Sequence, residues 1–270
     1  MNQFANNYFY KDIVSVIIKF LSCREQLNFL STCKRLRQFE SLFYNNKIYY
    51  LECALERKDM IANLDFCKKL VKTAVNVTGY QFLKSNYQSF PNLRDITFFG
   101  QHLIIDWLPV TVTRLTIESN LETVATLPEG ITHLKFGSLF DKPLEKLPKT
   151  LKYLYCSQFW NHPLDNLPNG LLYLNTGDLF NNNVDNLPDS IAELVFGMHF
   201  NKPIKKLPSN LKKLTFGFSF NQPIDNLPDS ITHLTLGQDF NQPIDHLPKS
   251  LIHLTWKLKL PGQELACQII

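Results

Sequence analysis

The sequence has no pair of cysteines at metal-binding or redox spacing. Its six cysteines are scattered, and no two of them are separated by only two residues. A zinc-ribbon or thioredoxin-like site is therefore not expected. Scattered cysteines in a chain of this size are typical of reduced thiols, so we expect a cytoplasmic or nuclear protein.

Long hydrophobic runs and a strong charge of one sign are also missing. No apolar run approaches the ~20 residues that a membrane-spanning helix needs. The first residues, MNQFANNYFYKD, lack the basic and apolar regions of a signal peptide. The net charge of +4 is too small to indicate nucleic-acid binding by itself. We therefore expect neither a membrane nor a nucleic-acid partner.

The chain falls into two parts of different character. Apolar residues in the first ninety or so follow helical spacing, as in Ile13, Val16, Ile17 and Phe20. A further helix is predicted over roughly Leu51 to Val75. Downstream of about residue 90 the pattern is no longer helical, and a repeat begins.

The repeat is marked by the dipeptide Leu-Pro. After a first interval of 19 residues, it recurs every 20 residues from Leu127 to Leu247. A fixed period of this length predicts a solenoid, because units too short to bury their own apolar face must stack on their neighbours.

Each unit also contains a strand-like run of the form L-x-x-L-x-L. In the run that begins at Ile231, alternation sends Leu234 and Leu236 inward and Thr235 outward. Nine such runs begin between Leu93 and Leu251. They predict nine coils whose strands form a curved parallel sheet, as in leucine-rich repeats.

Two further columns recur at the same interval. The aromatic column is predicted to stack inside the solenoid, and the asparagine column to be buried and to satisfy backbone groups where the chain leaves the sheet. The members of these columns are Phe140, Trp160, Phe180, Phe200, Phe220 and Phe240, and Asn161, Asn181, Asn201, Asn221 and Asn241. Glycines such as Gly217 are predicted to permit the bend after each strand.

These units resemble a known repeat family. The stretch LPDSITHLTLGQDFNQPID is similar to the FNIP repeat, a relative of the leucine-rich repeat common in social amoebae and in giant DNA viruses that infect them. The resemblance covers roughly residues 108–256 and is most specific in the last three units. Earlier units depart from it, with Ser157 in place of glycine and Asn183 in place of proline.

The N-terminal segment resembles an F-box. The stretch FYKDIVSVIIKFLSCREQLNFLSTCKRLRQFESLF has the apolar positions and the Cys-Lys-Arg run of that motif, with Phe9-Tyr10 in place of its initial Leu-Pro. The resemblance implies docking on the Skp-type adaptor of a cullin–RING ubiquitin ligase. The implied docking residues are Phe9, Tyr10, Ile13, Ile17, Ile18, Leu21, Leu27, Cys33 and Leu36. The alternative is that these helices only cap the end of the solenoid.

The predicted fold class is α+β. We expect an F-box-like helical domain over residues 1–46, a helical linker or solenoid cap over 47–90, and a leucine-rich-repeat-like solenoid over 91–270. Together, the resemblances imply a non-catalytic adaptor that recognises the target of an SCF-type ubiquitin ligase. The alternative is a stand-alone scaffold or decoy that binds a host protein without ubiquitin transfer.

A target would bind the outward strand residues, which line the concave face of such solenoids. Tyrosine and arginine are enriched at binding hot spots, and tyrosines lie here in adjacent coils flanked by lysines. The candidate residues are Arg114, His133, Lys135, Lys152, Tyr153, Tyr155, Tyr173, Lys213, His233 and His253. The alternative is an ordinary solvated sheet face, since β-propensity alone favours tyrosine there.

Catalytic motifs are absent from the sequence. It contains no G-x-S-x-G, H-E-x-x-H or phosphate-binding loop. Repetition explains the shared position of His133, His233 and His253 better than a metal site does. We therefore expect no metal, no cofactor and no enzymatic activity. A rival of another class is a ligase that carries ubiquitin on Cys156 or Cys267, for which the sequence offers no other support.

Overall fold

The structure is a computed structural model that describes residues 49–50, 72–75, 83–85, 88, 90–99, 107–118, 127–138, 140–260 and 263–269. The chain divides into two compact units, Met1–Ile96 and Thr97–Ile270. None of the helices in the described part of the chain has the length and hydrophobicity of a membrane span.

The described secondary structure of the first unit is mainly extended. Strand β1 (Tyr49–Tyr50) pairs in parallel with β2 (Lys72–Val75), and residues 83–85 are helical. The helix predicted over Leu51–Val75 is therefore wrong at its C-terminal end. The sequence VKTAVNV at 71–77 places β-branched residues at every second position, and this period favours a strand.

The α+β class is not supported by the described residues, which form a parallel β-solenoid with very little helix. The F-box-like helical domain predicted over 1–46 lies outside the described residues, as does most of the linker predicted over 47–90. The predicted leucine-rich-repeat-like solenoid is confirmed.

Short strands recur along the solenoid at the repeat interval. The strand order follows the chain order, and each strand from β4 to β10 pairs in parallel with the next. The strands are β3 (Asp95–Phe99), β4 (Arg114–Glu118), β5 (His133–Phe136), β6 (Tyr153–Tyr155), β7 (Tyr173–Asn175), β8 (Glu193–Val195), β9 (Lys213–Thr215), β10 (His233–Leu236), β11 (His253–Leu260) and β12 (Gln263–Ile269).

The core lies behind one face of this sheet. In β10, Leu234 and Leu236 are buried and Thr235 is half-buried on the other face, as the alternation predicts. Leu234 is in register with Leu214 and Leu254, so equivalent leucines stack from coil to coil. Burying each such side chain contributes about 2 kcal/mol, and the gain is realised only when the neighbouring coils are present.

The Leu-Pro dipeptide sets the turn that enters each strand. The N–H of Leu151 donates to the carbonyl of Pro148 at 3.0 Å. The N–H groups of the next residues, Lys152 and Tyr153, both donate to the carbonyl of Thr132 in the preceding coil, at 2.9 and 3.0 Å. Proline fixes the backbone at this turn, so the same hydrogen bonds recur in later coils.

The aromatic column forms a continuous stack from Trp160 to Phe240. Phe200 is fully buried, and its ring lies parallel to those of Phe180 and Phe220, with centroid distances of 6.0 and 5.9 Å. Trp160 continues the column at 5.8 Å from Phe180, and its indole N–H donates to the carbonyl of Lys142 at 2.8 Å. Tryptophan is thus accommodated in the core because its polar atom has a partner.

A second aromatic column lies against the first. Phe196 and Phe216 each stack on the phenylalanine four residues later, at 3.9 and 3.7 Å, and on each other at 5.6 Å. Sequence analysis missed this column because its position is occupied by Cys156, Thr176 and Leu236 in other coils.

The asparagine column forms a hydrogen-bond ladder. The Oδ1 atom of Asn201 accepts the backbone N–H of Asn221 at 2.9 Å and the side-chain N–H of Gln222 at 3.1 Å. The same backbone bond links Asn161 to Asn181 and recurs along the column. These side chains are half-buried or exposed rather than buried as predicted, and those from Asn161 to Asn221 each satisfy a backbone donor of the following coil.

Glycine is required after the strand mainly because the backbones of adjacent coils approach each other closely there. A Cβ atom added to Gly217 would lie 1.9 Å from the carbonyl oxygen of Gly197. A Cβ atom added to Gly197 would likewise lie 1.9 Å from the carbonyl oxygen of Gly177. Among the described glycines, only Gly177 has a left-handed φ, of 77°. The prediction that these glycines permit a bend therefore fails at Gly197 and Gly217, where contact between adjacent coils excludes a side chain.

The last described strand departs from the repeat. β12 pairs antiparallel with β11, from Leu254 opposite Ile269 to Leu260 opposite Gln263. It covers the strand edge that β11 would otherwise expose, and such edges are prone to aggregation. The sequence signal was the turn-forming Pro-Gly at 261–262.

Candidate protein-binding face

The outward residues of β4–β11 form a single surface, which we call the outer sheet face. In-register pairing arranges them in two columns. The first column is Arg114, His133, Tyr153, Tyr173, Glu193, Lys213, His233 and His253; the second is Thr116, Lys135, Tyr155, Asn175, Val195, Thr215, Thr235 and Thr255. Apart from Lys152, which directly precedes β6, every predicted target-binding residue falls in one of these columns.

An aromatic cluster occupies the middle strands of this face. His133 stacks on Tyr153 with ring centroids 4.3 Å apart, and Tyr155 lies 4.7 Å from Tyr173. Tyr153 and Tyr173 are 6.3 Å apart. We call these residues the tyrosine cluster, because three tyrosines from two adjacent strands make most of it. Their mutual contacts reduce the conformational entropy that a partner would have to remove on binding.

Tyr173 is half-buried within the tyrosine cluster. Burial raises its pKa above the ordinary value, and the neighbouring Tyr155 and Glu193 act in the same direction, while a hydrogen bond with Asn175 opposes them. The phenol therefore remains a neutral hydrogen-bond donor throughout the physiological range.

Basic residues flank the tyrosine cluster on both sides. Arg114, Lys135 and Lys152 lie on or beside β4–β6, and Lys212 and Lys213 lie at β9. Glu118 and Glu193 are the acidic residues on this face within the described strands. They contact Lys135 and Lys213 at 3.8 and 3.7 Å. Cations outnumber anions, so the face carries a positive potential.

Two histidines of the outer sheet face are neighbours. His233 and His253 lie with ring centroids 4.5 Å apart, and the Nδ1 atom of His233 is 2.9 Å from the hydroxyl of Thr232. Within the part of the chain that the structure describes, no group of three potential ligands could hold a metal ion.

One candidate nucleophile lies in the core. Cys156 is buried, and this burial raises the pKa of its thiol far above the ordinary value. A thiol of that kind is mostly protonated and inaccessible, so it lacks the properties of a reactive cysteine. The side chain of Cys267 lies outside the described residues, as do the predicted adaptor-docking residues from Phe9 to Leu36.

Four exposed apolar side chains lie where the chain leaves the strands, and the sequence pattern did not predict them. Phe159, Leu179, Met198 and Phe218 come from four consecutive coils and are 47%, 39%, 48% and 38% exposed. The corresponding positions in the next coil are Gln238 and Asp239. The repeat pattern alone therefore does not single these residues out.

The in-register leucines, the short parallel strands and the repeat interval define a leucine-rich-repeat-like parallel β-solenoid. The FNIP repeat family matches residues 123–158, 180–219, 200–226 and 220–256 of this chain. These segments include most of the coils that carry the aromatic and asparagine columns.

Comparison with solved structures gives a similar chain, CroV588, described as a novel circular LRR protein. It is 30% identical, with a TM-score of 0.46, and the match covers 70% of this chain. The match spans 40% of the length of that structure. No match to a curated protein was found.

Proposed function

We propose that this chain is a non-catalytic protein–protein adaptor and the substrate-recognition subunit of an SCF-type ubiquitin ligase. The observation that carries the proposal is the presence, in one chain, of an F-box-like segment at residues 9–43 and a repeat solenoid. The solenoid presents a tyrosine-rich, basic outer sheet face, and solenoids of this kind serve as extended binding surfaces.

The proposed mechanism is proximity. The F-box-like segment docks on a Skp-type adaptor through a helix-in-groove interface, and the outer sheet face holds a target protein. Holding the target near a ubiquitin-charged enzyme raises the effective concentration of its lysines for transfer. No cofactor, metal or catalytic residue of this chain takes part.

The decisive experiment measures binding of the full chain to a purified Skp-type adaptor. In the variant Ile17→Asp, a carboxylate would be buried in the proposed groove. We expect a loss of about 3 kcal/mol or more, corresponding to roughly 100-fold weaker binding. The matched control is Ser15→Asp, which introduces the same charge two residues away on the polar side of the predicted helix.

Micromolar or tighter binding that is lost in Ile17→Asp and retained in Ser15→Asp would support the adaptor. Absence of binding by the folded wild-type chain would refute it. The N-terminal segment would then be a solenoid cap, and the chain would be the alternative scaffold or decoy that binds a host protein without ubiquitin transfer.

A further inference from the structure

We propose that the outer sheet face binds an acidic segment of a partner protein. Carboxylates of that segment would meet the basic residues, and an apolar or aromatic side chain would rest on the tyrosine cluster. The inference rests on the proposed function only in taking the solenoid to be the part that captures a target, and it supplies the chemistry of that target.

Charge complementarity is the first reason. Both anions on the described part of the face, Glu118 and Glu193, already contact lysines. Arg114 and Lys212 are exposed on opposite sides of the tyrosine cluster. Positive groups at both ends of a surface favour a ligand with negative groups at both ends, and complementary potentials raise the rate of association and fix the register.

The dimensions of the face define the length of the segment. From β4, which carries Arg114, to β9, preceded by Lys212, there are five strand-to-strand intervals. At ~4.8 Å per interval the span is roughly 24 Å, and an extended chain rising ~3.3 Å per residue covers it in about seven residues. The segment would thus carry acidic residues near both ends and an apolar residue near its centre.

The arrangement of the rings favours a protein over a single-stranded nucleic acid. Nucleic-acid platforms offer open aromatic faces on which bases stack. Here the rings of His133 and Tyr153 stack on one another, with centroids 4.3 Å apart and an interplanar angle of 12°. The ring of Tyr155 packs at a tilt against that of Tyr173. Clustered tyrosines are instead typical of protein-binding hot spots.

The test uses the full chain and a fluorescein-labelled peptide of about seven residues, with glutamates on both sides of a central tryptophan. Binding is measured by fluorescence anisotropy in about 50 mM salt, where screening is weak. The double variant Arg114→Glu/Lys212→Glu reverses the charge on the outer sheet face at β4 and directly beside it at β9. The double variant Lys202→Glu/Lys249→Glu makes the same change in charge at exposed positions outside the strands.

We expect saturable binding by the wild-type chain, weakened about tenfold in the first double variant and changed by less than about twofold in the second. A probe with alanine in place of tryptophan should bind more weakly, since it loses contact with the tyrosine cluster. Rising salt should weaken binding of the tryptophan probe.

The proposal would be overturned by absence of saturable binding, by equal weakening in both double variants, or by equal affinity for a thymine oligonucleotide of the same length. The last result would identify a nucleic-acid-binding face. None of these results affects docking of the F-box-like segment on its adaptor, and lack of adaptor binding leaves the peptide result unchanged, so the two failures are distinguishable.

Discussion

Truncation of one ring in the middle of the aromatic column should destabilise the solenoid far more than truncation of an exposed ring. Phe200 is fully buried and stacks on Phe180, Phe220 and, at 3.9 Å, Phe196. Phe200→Ala removes these ring contacts and leaves a cavity. The neighbouring coils cannot close it, because the hydrogen bonds between their strands keep them at a fixed spacing. Buried phenylalanines in such positions contribute about 3–5 kcal/mol.

Phe159→Ala is the matched control, because Phe159 belongs to the same repeat system and is 47% exposed. Its truncation loses less buried area and leaves no closed cavity, so we expect a cost of about 1 kcal/mol. Both variants can be compared with the wild-type chain by urea unfolding followed by circular dichroism, from which the free energies of unfolding are obtained.

Hydrogen exchange gives a second, local measurement. Each coil contacts only its neighbours, so Phe200→Ala should accelerate exchange most in the coils of β7–β9 and least in that of β4. Equal losses of stability in Phe200→Ala and Phe159→Ala, or a uniform change in exchange along the solenoid, would show that the aromatic column does not hold adjacent coils together.

Three further changes test other parts of the architecture. Asn201→Ala removes the acceptor for the backbone N–H of Asn221 and should cost about 1–2 kcal/mol of unfolding free energy in urea melts; no loss would mean that water replaces the ladder. Gly217→Ala should cost about 2 kcal/mol or more, because its Cβ meets a backbone carbonyl, whereas Gly170→Ala meets only the flexible end of a lysine and should be nearly neutral. Cys156 should resist alkylation at pH 8 in the native chain and react in urea, because burial raises the pKa of its thiol. Peptide mass spectrometry measures the labelling, and labelling of the native chain would contradict the burial of Cys156.

The sequence by itself determined the solenoid. The Leu-Pro interval set the length of the repeat, and the L-x-x-L-x-L runs located β3–β11, each beginning two residues before its strand. The reason is physical: a 20-residue coil offers few ways to bury its leucines, so strand positions and facing directions follow from the spacing. The residues of the outer sheet face could be named for the same reason.

The sequence was less informative where the repeat was broken. β2 was mistaken for helix because residues 51–75 contain no repeat, and a short apolar run satisfies either period. β12 follows a turn signal that has no counterpart in the other coils. The function of the tyrosine cluster and the docking of the F-box-like segment are still predictions.

Only the tertiary structure decided which side chains meet between coils. It left Phe159, Leu179, Met198 and Phe218 exposed on four consecutive coils, at two different repeat positions. It also showed that Gly197 and Gly217 are needed for the approach of neighbouring backbones. A sequence period specifies what each coil contains, whereas contacts between coils depend on the distance and offset at which they stack, which are set by the packing of all the coils together.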